Sequence, residues 1–356
     1  MDSWSDFWRI FWRTALGAFL VCVAFLVVTN PYRNIPFLDG ARWPLMDVNQ
    51  RYLYPSIARD PRYDSAVFGT SSSRLLKPAL LDQKLGGTFA QMSMNAAVAY
   101  EQYRLAALYI DWRQKRDLPI KTVIFGLDTV WCTVGSTYPK KTVRPFPPWM
   151  YDHNPWNDVL HLFESKAIEI GGRTIGYWLG INESEYGVDG FSNFLPPSSA
   201  YDLVKARKNI YGAAGTAPEQ GYVYPIAPHP DAQNWTYATH PLFDELMSKL
   251  DANTRKIVVF VPLHFHKVGG TPTISQQRHL ECKERIKNKL KTMPNSMLID
   301  FMIPSSITTV DENYWDPLHY TVETADELVH LIAEAANGNS RDDARYDVLL
   351  NSIGQN

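Results

Sequence analysis

Residues 121–127 (KTVIFGL) and 256–262 (KIVVFVP) are short, nearly uncharged runs rich in β-formers. Runs of this length read as strands buried on both faces. Weaker runs of the same kind lie at 64–68, where glycine breaks the pattern at Gly69, and at 88–94 and 297–303. Between them the spacing turns helical, over 78–85, 100–116, 274–292 and 321–337. In the second of these, Tyr103, Ala106, Ala107 and Ile110 share a face, and Pro119 ends it. The alternation of strand and helix predicts an α/β fold with a mostly parallel sheet and crossover helices. It breaks off over 129–255, a long irregular stretch with helical patches near 158–170, 200–209 and 241–251. We read that stretch as an insertion or cap in a domain spanning 63–337. Residues 31–62, rich in Pro, Arg, Asn and Tyr, read as a linker, and 338–356 as a loosely held polar tail.

Residues 14–28 carry no charge. They fall short of the ~20 residues that a bilayer span needs. Trp8, Ile10, Phe11 and Trp12 extend the run if Arg9 and Arg13 snorkel to the headgroups. Trp4, Trp8 and Trp12 suit an interfacial belt, and Pro31 stops the helix. Three readings stand: an uncleaved anchor over 1–30, a cleaved signal peptide, and a buried soluble helix. No A-x-A-like site follows Val28, and arginines flank the run, which favours the anchor. Arginines do not set its orientation, since Arg33 and Arg42 follow the run just as Arg9 and Arg13 precede it. A short N-terminus kept in the cytoplasm puts the remainder outside, which in a bacterium is the periplasm.

Composition narrows the partners. A chain of 356 residues with 45% apolar and 20% charged residues can bury a sizeable core. A net charge of −2 offers no attraction to nucleic acid or another polyanion. Cys22, Cys132 and Cys282 form no CxxC and no metal spacing, so all three read as structural. Their spacing does not say whether Cys132 and Cys282 pair. His264 and His266 alternate after a strand without an acidic or cysteine cluster, which gives no metal site. Residues 129–240 are rich in rings, among them Trp131, Trp149, Tyr151, Tyr186, Tyr222 and Trp235. Rings of this kind either hold sugars or pack the cap. His153, His229 and His240 lie among them with no role assigned.

Two stretches carry candidate chemistry. Gly69-Thr70-Ser71-Ser72-Ser73-Arg74 has the outline of a tight turn between a strand and a helix start. A serine there projects from the carboxyl end of the sheet, beside helix N-terminal amides able to hold an oxyanion. Hydroxyl residues at such turns also cap helices. Far downstream, Asp316 and His319 stand three residues apart before the last helix. The carboxylate can orient the imidazole as general base to a serine. Loops at the carboxyl ends of parallel strands converge, so Ser71, Asp316 and His319 can meet.

With these blocks the chain resembles the SGNH/GDSL hydrolase superfamily, over about 64–128 and 256–336. It looks closest to a membrane-anchored extracytoplasmic branch that acylates cell-envelope polymers, such as alginate O-acetyltransferase components and the D-alanylation protein of teichoic acids. Ser71 matches the first block, where serine is the nucleophile, and Asp316 and His319 match the last. Asn95-Ala96-Ala97 stands where the second block supplies an oxyanion amide, usually from glycine. Gly126-Leu127-Asp128 stands where the third reads G-x-N.

The resemblance implies a flavodoxin-like three-layer sandwich. It implies a serine esterase or O-acyltransferase that forms an acyl-enzyme on Ser71 and modifies a cell-envelope or secreted polysaccharide. No metal or organic cofactor is required. Expected partners are the membrane, an acyl-bearing or polysaccharide substrate, and a multi-spanning acyl donor. Oxyanion contacts fall to the Ser71 and Ala97 amides and the Asn95 side chain, with Gly69 and Arg74 in support. Two positions depart from the pattern. The Ala97 amide can still donate, but an ionised Asp128 only accepts hydrogen bonds and repels an oxyanion. Asp128 is therefore expected to bind a backbone amide or Arg74; a neutral Asp128 could donate to the oxyanion, but that needs a strongly raised pKa. Arg74 itself either reaches an acid such as Asp128 or faces solvent. The alternative function is a catalytically weak binding or scaffold subunit of a polysaccharide modification or export complex. A soluble cytoplasmic hydrolase is the third.

Overall fold

The buried apolar runs do become strands. A computed structural model describes residues 2–152, 154–217, 224, 226–268, 273–338 and 344–354. In chain order its first elements are α1 (Asp2–Thr29), α2 (Gln50–Ala58), β1 (Ser65–Phe68), α3 (Pro78–Leu85), β2 (Phe89–Gln91), α4 (Ala99–Gln114) and β3 (Thr122–Leu127). Four helices follow: α5 (Pro155–Asp158), α6 (Ser165–Trp178), α7 (Leu203–Tyr211) and α8 (His240–Lys249). The chain then runs through β4 (Arg255–Phe260), α9 (Phe265–Val268), α10 (Ile274–Leu290), β5 (Ser296–Asp300), α11 (Val322–Ala336) and β6 (Asp347–Asn351).

These strands form one mixed sheet in the order β2-β1-β3-β4-β5-β6. All neighbouring pairs are parallel except β5–β6. β1, β2, β3 and β5 are buried along their whole length, as expected where helices cover both faces. Successive side chains point to opposite faces. Val67, Ile124, Ile257 and Ile299 join a cluster with Leu81 and Leu85 of α3 and Leu328 and Ile332 of α11. On the other face Phe68 stacks on Phe125 at 5.5 Å and meets Tyr109 of α4 at 5.8 Å.

Two stretches are more ordered than their composition suggests. Within the expected linker, Gln50, Leu53, Tyr54 and Ile57 share the buried face of α2. Pro55 inside that helix hides the period from a sequence reading. The tail after Asn337 is not held loosely throughout, because Asp347–Asn351 pairs with β5 as an edge strand. Its apolar trio, Val348, Leu349 and Leu350, supplies the reason, with Val348 packed against the main cluster.

Contacts divide the chain into two units, of residues 1–56 with 147–188 and of 57–146 with 189–356. The stretch 129–255 is therefore shared between them rather than forming one insertion. In the first unit, α1 is long and apolar enough to cross a membrane, over Trp4–Thr29, and only 6% of that apolar window is buried. Its last turns pack on α6. Any side chain at Gly171 would meet the Phe25 ring at 2.7 Å and Thr29 Oγ1 at 2.8 Å, so the approach requires glycine there.

In the second unit, Cys132 just after β3 and Cys282 in α10 are joined by a disulfide, with Cα atoms 5.4 Å apart and a sequence separation of 150. Cross-linking so long a loop restricts the unfolded chain. Replacing both cysteines by alanine is expected to cost about 2–5 kcal/mol. Urea titration reads the loss, and reduction of the parent protein should reproduce it. A double variant as stable as the parent would show that the bond does not form in solution.

Candidate active site

β1 ends at Phe68, and the turn after it is held by close approach. Gly69 and Gly126 stand at the carboxyl ends of the neighbouring strands β1 and β3, and a methyl on either would overlap Ser73. Ser73 is fully buried between them. Its Oγ has no hydrogen-bond partner among the described residues. Gln91 braces the turn from β2, donating through Nε2 to the carbonyls of Ser73 at 2.9 Å and Leu76 at 3.0 Å.

The turn is shorter than the expected helix start. Ser71–Ser73 makes a single 3₁₀ turn, and regular helix waits until Pro78. Lys77 precedes that proline with ψ 122°, and a residue in this position is driven out of the helical region. A helix begun at Ser71 would have to stop before Lys77, and the chain makes only the 3₁₀ turn there, so Ser71 does not stand at the N-terminus of a regular α-helix. The Ser71 amide itself has no acceptor among the described residues.

The loop before α11 is tied to the turn at Ser72, next to Ser71. Tyr320 donates its hydroxyl to the Ser72 carbonyl, and Ser72 Oγ donates to the Leu318 carbonyl at 3.2 Å. Between these bonds His319 Nε2 lies 2.9 Å from Ser71 Oγ. On the other side of its ring, His319 Nδ1 lies 2.7 Å from Asp316 Oδ2. With a carboxylate accepting at Nδ1, the proton sits there and Nε2 accepts from the Ser71 hydroxyl. Asp316 Oδ1 is fixed by the amides of Leu318 at 2.8 Å and His319 at 3.0 Å. Burial alone would raise the Asp316 carboxyl. The bond and charge of His319 and the two amides outweigh it and hold Asp316 below the usual carboxylate range. The His319 side chain keeps 22% of its surface exposed, so a substrate can reach it.

Phe194 is a neighbour that no sequence pattern points to, because it lies in an aperiodic stretch. Its ring meets His319 edge-on at 5.5 Å, and the Arg74 guanidinium lies over it at 4.4 Å. Arg74 is buried rather than turned to solvent, and it donates to Asn95 Oδ1 at 2.7 Å.

The remaining expected residues fall in two groups. The Ala97 amide donates to the Met94 carbonyl at 3.3 Å, in a turn where Ala96 takes φ 50°, so it is partly engaged. Asp128 binds a backbone amide, as expected, with Val130 donating to Oδ1 at 3.0 Å. Its other oxygen accepts from the Thr70 hydroxyl. Asp128 thus positions the residue before Ser71. Burial pushes its carboxyl above the ordinary range, against the pull of these two bonds.

His264 is fully buried against Asp311 at 3.1 Å. In the aromatic stretch, Trp131, Tyr151 and Tyr186 are buried, and Trp149 stacks on His161 at 4.1 Å, so these rings pack. Tyr222 and His153 lie outside the described residues.

Asp128 gives a test of these electrostatics. A carboxyl whose folded pKa exceeds its unfolded value holds its proton more readily when folded. Stability then falls as pH rises from the unfolded value of about 3.9, and the full cost is present above the folded value. In Asp128→Asn, the amide oxygen can accept from Val130 and the nitrogen can donate to Thr70. The variant should be more stable than the parent at pH 7, with the gap closing towards about pH 4. Thermal midpoints across that range check it, and a variant no more stable at pH 7 would contradict it.

No protein-family model matches this chain, and no curated protein matches it.

Proposed function

We propose that this chain is a membrane-anchored, extracytoplasmic serine esterase or O-acyltransferase of the SGNH/GDSL type, acting on a cell-envelope or secreted polysaccharide. The hydrogen-bonded relay from Ser71 through His319 to Asp316 carries the reading. Ser71 Oγ attacks an ester carbonyl while His319 Nε2 takes its proton. Collapse of the tetrahedral intermediate breaks the bond to the leaving alcohol, which receives that proton. Water or a sugar hydroxyl, deprotonated in turn by His319, attacks the acyl group and frees Ser71. Asp316 steadies the imidazolium at each transfer. The Ser71 amide donates to the oxyanion. An oxyanion donor is typically worth about 2.7–4 kcal/mol, so a site with few of them suits a slow reaction or a reactive acyl donor.

Other features support the reading. A strand order of 2-1-3-4-5 with helices on both faces is that of a flavodoxin-like sandwich. The apolar α1 fits an anchor, and the Cys132–Cys282 disulfide fits an oxidising compartment such as the periplasm. A groove of about 590 Å³ runs along the Asp316 loop, lined in part by Tyr201, Trp315, Asn193, Asn313 and Thr321. Rings with nearby amides suit a sugar.

One observation favours a second reading. Both oxygens of Asp128 accept hydrogen bonds where an oxyanion would need a donor. This fits a catalytically weak binding or scaffold subunit.

A serine-directed fluorophosphonate separates the two readings. The parent should label at Ser71, and Ser71→Ala and His319→Ala should not. Asp316→Asn should lower turnover by about 10⁴-fold. A parent that does not label, with a Ser71→Ala variant that keeps full cellular function, would overturn the enzyme reading.

A further inference from the structure

The first unit has an apolar surface that its own packing does not use. α6 has three sides. Ala167, Ile170, Gly171 and Thr174 are buried, and α6 packs on α1 with Gly171 against Phe25. Lys166, Glu169 and Arg173 form a charged side, joined by ion pairs of 3.1 and 3.0 Å. Ile168, Ile175 and Leu179 follow helical spacing along the third side. Ile168 and Leu179 there are exposed. The turns before α6 add Trp156, Leu160 and Phe163, all exposed as well. These turns are firmly held. Asn34 Nδ2 donates to the buried Asp158 at 2.7 Å, and His161 stacks on Trp149.

α1 indicates what covers this surface. Its last turns lie inside the unit, with Leu26 and Thr29 buried and the Trp43 indole donating to the Val28 carbonyl at 2.8 Å. Leu16, Phe19, Leu20 and Val21, earlier in the helix, are exposed. Phe19 stacks on Phe163, with centroids 6.0 Å apart and planes 7° from parallel. From Leu26 back to Phe19 the helix advances about 10 Å, at ~1.5 Å per residue. A bilayer surface drawn where α1 enters the unit would therefore leave Phe163 submerged. Its depth would match the headgroup–acyl boundary, about 5–10 Å in, where interfacial amphipathic helices lie.

We infer that Trp156, Leu160, Phe163 and Ile168 at the start of α6 form a second membrane contact, seated in the lipid boundary beside α1. The inference rests on α1 being a membrane span. It gives the first unit a fixed attitude on the bilayer, which a lone flexible anchor would not.

Spin-label accessibility tests it on the full chain in vesicles of phosphatidylethanolamine and phosphatidylglycerol. In a Cys22→Ser background, single labels go on Trp156→Cys, Leu160→Cys and Ile168→Cys. Leu16→Cys reports α1, and Val143→Cys reports a fully exposed position of the second unit. Cys132 and Cys282 are paired and take no label. The ratio of oxygen to aqueous nickel-chelate accessibility should be several-fold higher at 156, 160 and 168 than at 143, and below that at 16, which lies deeper in the bilayer. A lipid-like Leu16 label with water-like labels at the three sites overturns the wedge and leaves the span standing. A water-like Leu16 label overturns both. Labels at the three sites shielded from both reagents would mean that protein covers the face, which also overturns the inference.

Discussion

Strands β1 to β5 all run the same way, so each delivers its following loop to one edge of the sheet. Register keeps these ends level: Phe68 pairs with Phe125, Leu127 with Phe260, and Phe260 with Asp300. That geometry is why Ser71 and His319 stand 2.9 Å apart across a sequence separation of 248. Beyond the sheet, the link depends on the glycines that leave room for Ser73 and on the two bonds that tie Ser72 to the His319 loop. The site is therefore a property of the packed sheet edge and not of either loop alone.

Two aspartates at this edge are shifted in opposite directions by their surroundings. Burial pushes both carboxyls up. Asp316 also receives an imidazole, its charge and two amides, and ends below the ordinary range. Asp128 receives one hydroxyl and one amide, and stays above it. The same residue type thus yields an ionised partner for His319 in one place and a costly buried acceptor in the other. What Asp128 supplies in return is a fixed Thr70, and with it the direction in which the next residue, Ser71, leaves the strand.

Close approach at glycine recurs in the first unit, where Gly171 lets α6 lie against α1. The consequence there concerns surface rather than chemistry. One side of α6 is spent on α1 and another on ion pairs, which leaves apolar residues facing outward beside a helix that is itself apolar and exposed.

The alternation of apolar runs with helical spacing was enough to recognise the α/β core, its strands and the helices between them. Each of those signals is local, set by which face of a strand or helix avoids water. Ser71, Asp316 and His319 were legible for a related reason, since a parallel sheet sends the ends of its strands to one edge. The partners of Asp128 and Arg74, the place of Phe194 and the pairing of Cys132 with Cys282 were not. These depend on which side chains distant in sequence come within a few ångströms, and no periodicity records that. The short 3₁₀ turn at Ser71 falls between the two cases. Pro78 was visible all along, but only the packed turn revealed that regular helix waits for it and does not begin at the serine.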